Sequence, residues 1–180
     1  MIFTVGHSTR AIEDFIGLLQ AHGVERLIDV RTVPKSRHNP QFNRDELPKS
    51  LKQAKISYTH MPELGGLRRP RKDSINTGWR NLSFRGYADY MQTPDFERGL
   101  EKLIELGASE TVAIMCAEAV PWRCHRSLVA DALLARGIAV EELSGAGPSK
   151  PHKLTSFAHV EGARVTYPKP GEALSLWETH

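Results

Sequence analysis

Short apolar runs alternate with stretches of helical period along most of the chain. IFTV (2–5) predicts a first strand; behind it Ile12, Phe15, Ile16 and Leu19 recur at helical spacing, with Ser8 or Thr9 as N-cap and Gly23 as the stop. RLIDVR (26–31) predicts a second strand and ISYTHM (56–61) a third, separated by a helix over 43–55 that Pro48 limits or kinks. The stretch 62–83 bears glycines and no clear period, and FRGYADYMQ (84–92) predicts a short helix. A stronger helix start follows, with Thr93 as cap, Pro94 at the first helical position and acids in the first turn of TPDFERGLEKLIELG (93–107). TVAIMC (111–116) predicts the fourth strand, CHRSLVADALLARG (124–137) the next helix and IAVEEL (138–143) the fifth strand. In the Gly-, Pro- and Ser-rich tail, two extended runs around Glu161-Gly162 predict a hairpin.

Strands that alternate with helices indicate a mostly parallel sheet covered on both faces. The expected fold is therefore α/β: a single three-layer domain with about five strands. Residues 1–145 form its core, with a basic insertion after the third strand (62–85), and 146–180 form a C-terminal extension packed on or near it. A chain of 180 residues is long enough for one real core. No apolar run approaches the roughly 18 residues that span a bilayer, and the N-terminus MIFTVGHSTR lacks the features of a secretion signal. Two cysteines suit a reducing compartment rather than a disulfide scaffold, so the expected location is the cytoplasm, away from membranes.

Charge changes the picture more than composition does. From Arg31 to Arg85 the chain carries 13 Lys and Arg against 4 Asp and Glu, a net of +9; the remainder has 11 against 17, a net of −6. Arg68, Arg69, Arg71, Lys72 and Arg80 crowd a glycine-bearing loop with Trp79, which is placed to stack on a base. This is either a solvated loop or an anion-binding surface, for which nucleic acid and phosphorylated ligands are the candidate partners.

Ligands of open parallel sheets bind beyond the carboxyl ends of the strands. There the sequence gathers His7, Ser8, Arg31, His60, Glu63 and, densest of all, CAEAVPWRCHR (116–126). A thiol at a helix start beside His and Arg has the surroundings that favour thiolate. Cys124 is thus a candidate nucleophile, His125 or His7 a base, and Glu118 an acid, base or orienter. Ser8, Arg31, Arg123 and Arg126 are candidate anion ligands, helped by backbone N–H groups at the helix start. The rival reading makes both cysteines inert buried residues. The six residues AEAVPW between Cys116 and Arg123 lack glycine and include Glu118 and Pro121, which is a poor phosphate cradle. The spacing between the cysteines matches no structural zinc motif, and a Cys116–Cys124 redox disulfide lacks the usual two-residue spacing. No metal site is expected, and no nucleotide-cofactor motif is present.

TVGHS (4–8), LIDVR (27–31), ELGG (63–66), GYADYMQTPDF (86–96), CAEAVPWRCHR (116–126) and LTSFAHVEGARVTYP (154–168) together resemble the domain of unknown function 488 family of bacteria and archaea. The resemblance spans nearly the whole chain, and its most specific part is Cys-x-Glu followed by Cys-His-Arg. It implies a compact cytoplasmic α/β domain and brings no reaction, substrate or cofactor with it. His7, Ser8, Asp29, Arg31, Glu63, Cys116, Glu118, Cys124, His125 and Arg126 coincide with the family's motif positions. Two functions stay open: an enzyme acting on a nucleotide, nucleic acid or phosphorylated small molecule, and a non-catalytic nucleic-acid-binding or regulatory module.

Overall fold

The computed structural model describes residues 1–145 and 147–172, so Ala146 and 173–180 of the expected C-terminal extension lie outside the described residues. Five parallel strands, β1 (Ile2–Gly6), β2 (Arg26–Asp29), β3 (Ser57–His60), β4 (Val112–Cys116) and β5 (Val140–Leu143), form one sheet in the order β3-β2-β4-β1-β5. A two-residue strand β6 (Lys150–Pro151) joins the β5 edge antiparallel, making six strands. β7 (His159–Glu161) and β8 (Arg164–Thr166) pair as a separate hairpin around Gly162, whose positive φ of 60° suits the turn.

Side chains alternate across each strand, and the two resulting faces carry different helices. Phe3, Val5, Leu27, Ala113 and Met115 pack with α1 (Ile12–Ala21) and α2 (Leu47–Gln53). Ile2, Ile28, Val112, Ile114 and Cys116 pack on the other face with α3 (Leu82–Tyr90), α4 (Pro94–Ser109) and α5 (Arg126–Ala135). The architecture is a three-layer α/β domain with a mostly parallel sheet. On α5, Leu128, Val129 and Leu133 are fully buried, each a gain of about 1.5–3 kcal/mol over exposure, enough to anchor the helix without a side-chain cap.

Helix starts depart from the sequence reading where loops intervene. Thr93 caps α4, accepting from Phe96 N at 3.4 Å, with Pro94 in the first turn. Neither Ser8 nor Thr9 caps α1. The helix begins three to four residues later, behind Ala11, which offers no side-chain cap, and Ser8 instead takes a positive φ of 51°. Its N–H is committed to Ala117 O at 3.0 Å, continuing the β1–β4 ladder one residue past the sheet, so the turn into α1 starts later. Cys124 likewise precedes its helix. Pro121 opens a 3-10 turn over Pro121–Arg123, and Cys124 leaves it extended (φ −132°, ψ 144°), so α5 starts at Arg126. Among the described residues no helix is long and apolar enough to cross a membrane.

Candidate functional site

The connection after β1 leaves toward α1 on one face of the sheet, and the connection after the adjacent β4 leaves toward α5 on the other. Between such diverging chains a crevice opens at the carboxyl ends of the strands. Gly6 permits the close crossing: a Cβ there would lie 1.9 Å from Glu118 O, so no other residue fits without moving the 118–119 backbone. A cavity of about 400 Å³ lies on the far side of this crossing, beyond the carboxyl ends of β4 and β2, lined by Arg31, Cys116, Glu118, Arg123, Cys124 and His125 and walled by Gly66, Leu67, Phe84 and Tyr87. That volume falls within the range of small-molecule sites.

Strand parity places Cys116 on the α5 side, where its sulfur meets Cys124 and Arg126. Both thiols are buried and free. The Cys116 thiol is drawn down to about 7, first by the hydrogen bond from Cys124 and then, against desolvation, by the Arg126 guanidinium and the Glu118 backbone. Cys124 moves the opposite way, well above an ordinary thiol, because it donates that bond and is buried. The two shifts run in opposite directions across one contact, so a single lost proton leaves one negative charge on the pair.

Arg126 favours the charged form of both thiols. It is only 1% exposed, and its Nη2 donates to Glu118 O at 2.9 Å and Ala119 O at 3.0 Å, while Nη1 reaches Thr4 Oγ1 at 3.4 Å. Its Nε has no hydrogen-bond partner, and it makes no ion pair with a carboxylate among the described residues. A buried cation surrounded by neutral oxygens is costly, and the ionisable groups it acts on here are the two thiols.

His125 lies on the other side of Cys124. Its Nε2 faces Val30 O at 3.2 Å, and since a carbonyl only accepts, Nε2 carries the proton and Nδ1 is the free acceptor, 3.7 Å from Cys124 Sγ. Burial pulls this imidazole down to about 4, so it is neutral near pH 7. Tyr87 leans on the ring at 4.9 Å, and the Gly66 backbone passes so close that a Cβ would come within 3.0 Å of Nδ1.

The second half of the site belongs to the opposite sheet face. Arg31 holds the buried Asp29 with Nε at 2.9 Å and Nη2 at 2.7 Å, and Nη2 also donates to Phe42 O. Tyr58 adds a hydroxyl to Asp29 at 2.6 Å, and burial with that bond raises the phenol. His7 donates from Nδ1 to Ser8 O at 2.7 Å and stacks on Phe42, leaving Nε2 to face Arg31 Nη1 at 3.4 Å. Burial lowers its pKa. Arg31 Nη1 is thus the end of the guanidinium that Asp29 leaves unused, on a side chain that lines the cavity.

Of the strand-end residues, the fold brings Arg31, Glu118, Arg123, Cys124 and His125 to one cavity, with His7 behind Arg31 and Arg126 behind Cys116. Ser8 does not line it. Arg123 is exposed and makes no ion pair among the described residues, while Glu118 folds back to accept from Val120 N at 3.3 Å. The basic loop is largely occupied with itself. Arg68 stacks on Tyr90 at 3.7 Å and donates to Gly65 O and Pro62 O, and Arg71 pairs with Asp73. Asp89 of α3 pins the loop from beneath, accepting from Arg71 N, Ser74 and Asn76. Arg69, Lys72 and Arg80 stay exposed, outside the cavity. Trp79 is half-buried in an aromatic group with Phe84, Phe157 and Tyr167, which already occupies its ring.

Sequence reasoning did not find the cavity's apolar wall of Leu67, Phe84 and Tyr87. One signal was available in Gly65-Gly66, where a backbone must pass close to something, here the His125 ring. Leu67 next to it takes a positive φ of 60°, so strained backbone borders the cavity. Among the described residues, no three His, Cys, Asp or Glu side chains converge as metal ligands do.

Neither a curated protein nor a solved structure matches the chain. Residues 11–133, which hold the β2 and β4 edges, both cysteines and most of the cavity wall, match the family described as Domain of unknown function DUF488. The chain belongs to that family.

Proposed function

We propose that this chain is a thiol-dependent enzyme whose nucleophile is Cys116 and whose ligand is a small anion, a phosphorylated molecule or nucleotide fitting the cavity at the end of β4. The observation that carries this reading is the buried Arg126 guanidinium, one nitrogen unpartnered and no ion pair among the described residues, set against a thiol held at about 7. A thiolate rather than a thiol is the reactive form. A fold that keeps a cation buried for a cysteine has arranged that cysteine as an anion.

The ligand's charge is argued from Arg31 and Arg123. Arg31 turns Nη1 away from Asp29 toward His7 Nε2, and Arg123 sits exposed at the rim with no ion pair among the described residues. A ligand held by both presents its neutral, electrophilic part to Cys116 and its apolar part to Phe84 and Tyr87. The glycine-free loop 117–123 argues against a phosphate enclosed by backbone N–H groups, which leaves the arginines to meet the charge. Placing the site in this cavity, away from Arg69, Lys72 and Arg80, favours a small ligand over a polymer.

Alkylation by monobromobimane across pH tests this. The Cys124→Ser variant should label once, at Cys116, with a midpoint well below that of a free thiol, and AMP or inorganic phosphate should slow it. Labelling that rises only above pH 8 and ignores both anions would refute the proposal.

A further inference from the structure

Cys116 has a companion that a lone nucleophile does not need. Cys124 lines the same cavity and belongs to the same buried cluster, its thiol interacts with the Cys116 thiol, and its sulfur lies 3.7 Å from the Nδ1 of His125. The two thiols come from opposite ends of the 117–123 loop, one closing β4 and one preceding α5. Beyond the cavity both are enclosed by the core of the α5 face, so the only sulfur each can reach is the other or one entering the cavity. Adjacent buried thiols with one proton between them and a neutral imidazole at the second are the parts of a dithiol that opens and closes.

We propose that Cys116 and Cys124 form a thiol–disulfide exchange pair, Cys116 attacking and Cys124 resolving, whose co-substrate is a small disulfide carrying negative charge. This rests on Cys116 being the nucleophile of an anion-binding cavity and names the substrate's reacting bond. In the first step the Cys116 thiolate attacks one sulfur of R–S–S–R; the S–S bond breaks, Cys116–S–S–R forms and R–S⁻ leaves. In the second, His125 Nδ1 takes the Cys124 proton, and the Cys124 sulfur attacks Cys116. The mixed disulfide breaks, the Cys116–Cys124 bond forms and a second R–S⁻ leaves. The substrate disulfide gains two electrons and leaves as two thiolates, the Cys124 proton passes from His125 to a leaving thiolate or to solvent, and the protein dithiol, two electrons poorer, is restored by a reducing dithiol.

The arrangement supplies what each step requires. Attack is favoured by a thiolate near ambient pH, which Cys116 provides. The second thiol must stay protonated until the mixed disulfide exists, and burial beside Cys116 holds it so. Once Cys116 carries R, its charge is gone, and the force that kept the Cys124 proton in place goes with it. His125, kept neutral by burial, is then the nearest acceptor. Arg31 and Arg123 select the charge of R.

The experiment treats the reduced, full-length protein with oxidised glutathione (anionic), hydroxyethyl disulfide (neutral) or cystamine (cationic), and follows products by intact mass under acid quench. The wild type should end as the internal disulfide with little mixed disulfide. Cys124→Ser should stop at the mixed disulfide, and Cys116→Ser should not react. Rates should fall from anionic to neutral to cationic, by roughly tenfold or more at each step, and Arg123→Gln should flatten that order. His125→Gln should lengthen the life of the mixed disulfide about 100-fold, the scale of a general base, with the first step unchanged. A wild type that accumulates mixed disulfide as Cys124→Ser does, while still reacting with monobromobimane near pH 7, overturns the exchange pair and leaves Cys116 as nucleophile. Loss of both reactions overturns the reading beneath it as well. Urea unfolding of each variant separates these outcomes from misfolding.

Discussion

Arg126 and Asp131 lie five residues apart on α5; both are buried, and their surroundings are opposite. Asp131 is fully enclosed and fully satisfied. One oxygen accepts from His152 Nε2 at 2.8 Å and Thr155 N at 3.1 Å, the other from the Thr155 hydroxyl at 2.6 Å and the Tyr167 hydroxyl at 2.7 Å. His152 completes the cluster by pairing with Glu142 of β5 at 2.9 Å. Every partner except Glu142 comes from the segment after β5, so Asp131 is where that segment is tied to the core. Arg126 has carbonyls, a distant hydroxyl, an unpartnered nitrogen and a thiol. A satisfied buried charge holds a chain in place; an undersatisfied one invites another purpose, which we propose is the Cys116 anion.

The largest effect that would sharpen this contrast is expected at Asp131. Asp131→Ala leaves three donors and a charged imidazole without an acceptor, a loss on the order of 3–5 kcal/mol in urea unfolding. The cluster also sets a pH window. Burial alone lowers the His152 pKa, but the bonds to Asp131 and Glu142 outweigh it and raise it to about 9. A folded pKa above the unfolded value near 6.5 contributes stability fully present below that value and lost as pH rises through about 9. Unfolding midpoints should fall across that range in the wild type and stay flatter in His152→Gln. If both variants unfold like the wild type, Asp131 is no tie, and the contrast with Arg126 collapses.

Next in size is Gly6→Ala, which breaks the site through its backbone. The added methyl meets Glu118 O at 1.9 Å, so the 118–119 segment must shift and take with it two of the acceptors of Arg126. A cost of about 1–3 kcal/mol is expected, as for other forced repacking. Bimane labelling of Cys116 near pH 7 should drop with it, and labelling that persists would show that the loop crossing does not govern the thiol.

Arg126→Met separates the two roles most cleanly. Removing a buried charge that lacks a carboxylate partner should leave stability unchanged or raise it, whereas the Cys116 labelling midpoint should climb toward a free thiol's, slowing the reaction near pH 7 by about tenfold per unit. Destabilisation instead, by several kcal/mol, would make Arg126 a structural tie like Asp131.

The sequence carried the strands, most helices and the strand-edge cluster, because each is written in local period and in which residues follow an apolar run. It did not carry the insertion of β4 between β2 and β1, since strand order depends on which helix face packs where. That order is what puts Cys116 beside Gly6 and aims the two connections apart. The Asp131 cluster was missed although a lone carboxylate in VADALL is a visible oddity, because its partners arrive 21 to 36 residues later. Cys124 was visible as a candidate nucleophile and Cys116 as a strand-end residue; the opposite shifts of the two thiols arise first from their contact with each other, which no spacing reports.

The smallest expected effect concerns the basic loop, which looked the most functional in the sequence. Arg68 and Arg71 already have partners, and exposed pairs such as Arg71–Asp73 contribute little, about 0–1 kcal/mol. Arg69 and Lys72 point to solvent without lining the cavity. Arg69→Gln with Lys72→Gln should therefore change stability by no more than about 0.5 kcal/mol and leave the protection of Cys116 by AMP unaltered. Binding of single- and double-stranded oligonucleotides over a salt series is the decisive companion measurement, because each phosphate neutralised adds about −0.7 to −0.9 to the slope of log K against log salt. A flat or absent response fits a small-ligand site recessed at the end of β4. A steep slope that the double variant flattens would return the loop to the centre of the function and make the cavity the place where a strand end or a flipped nucleotide enters.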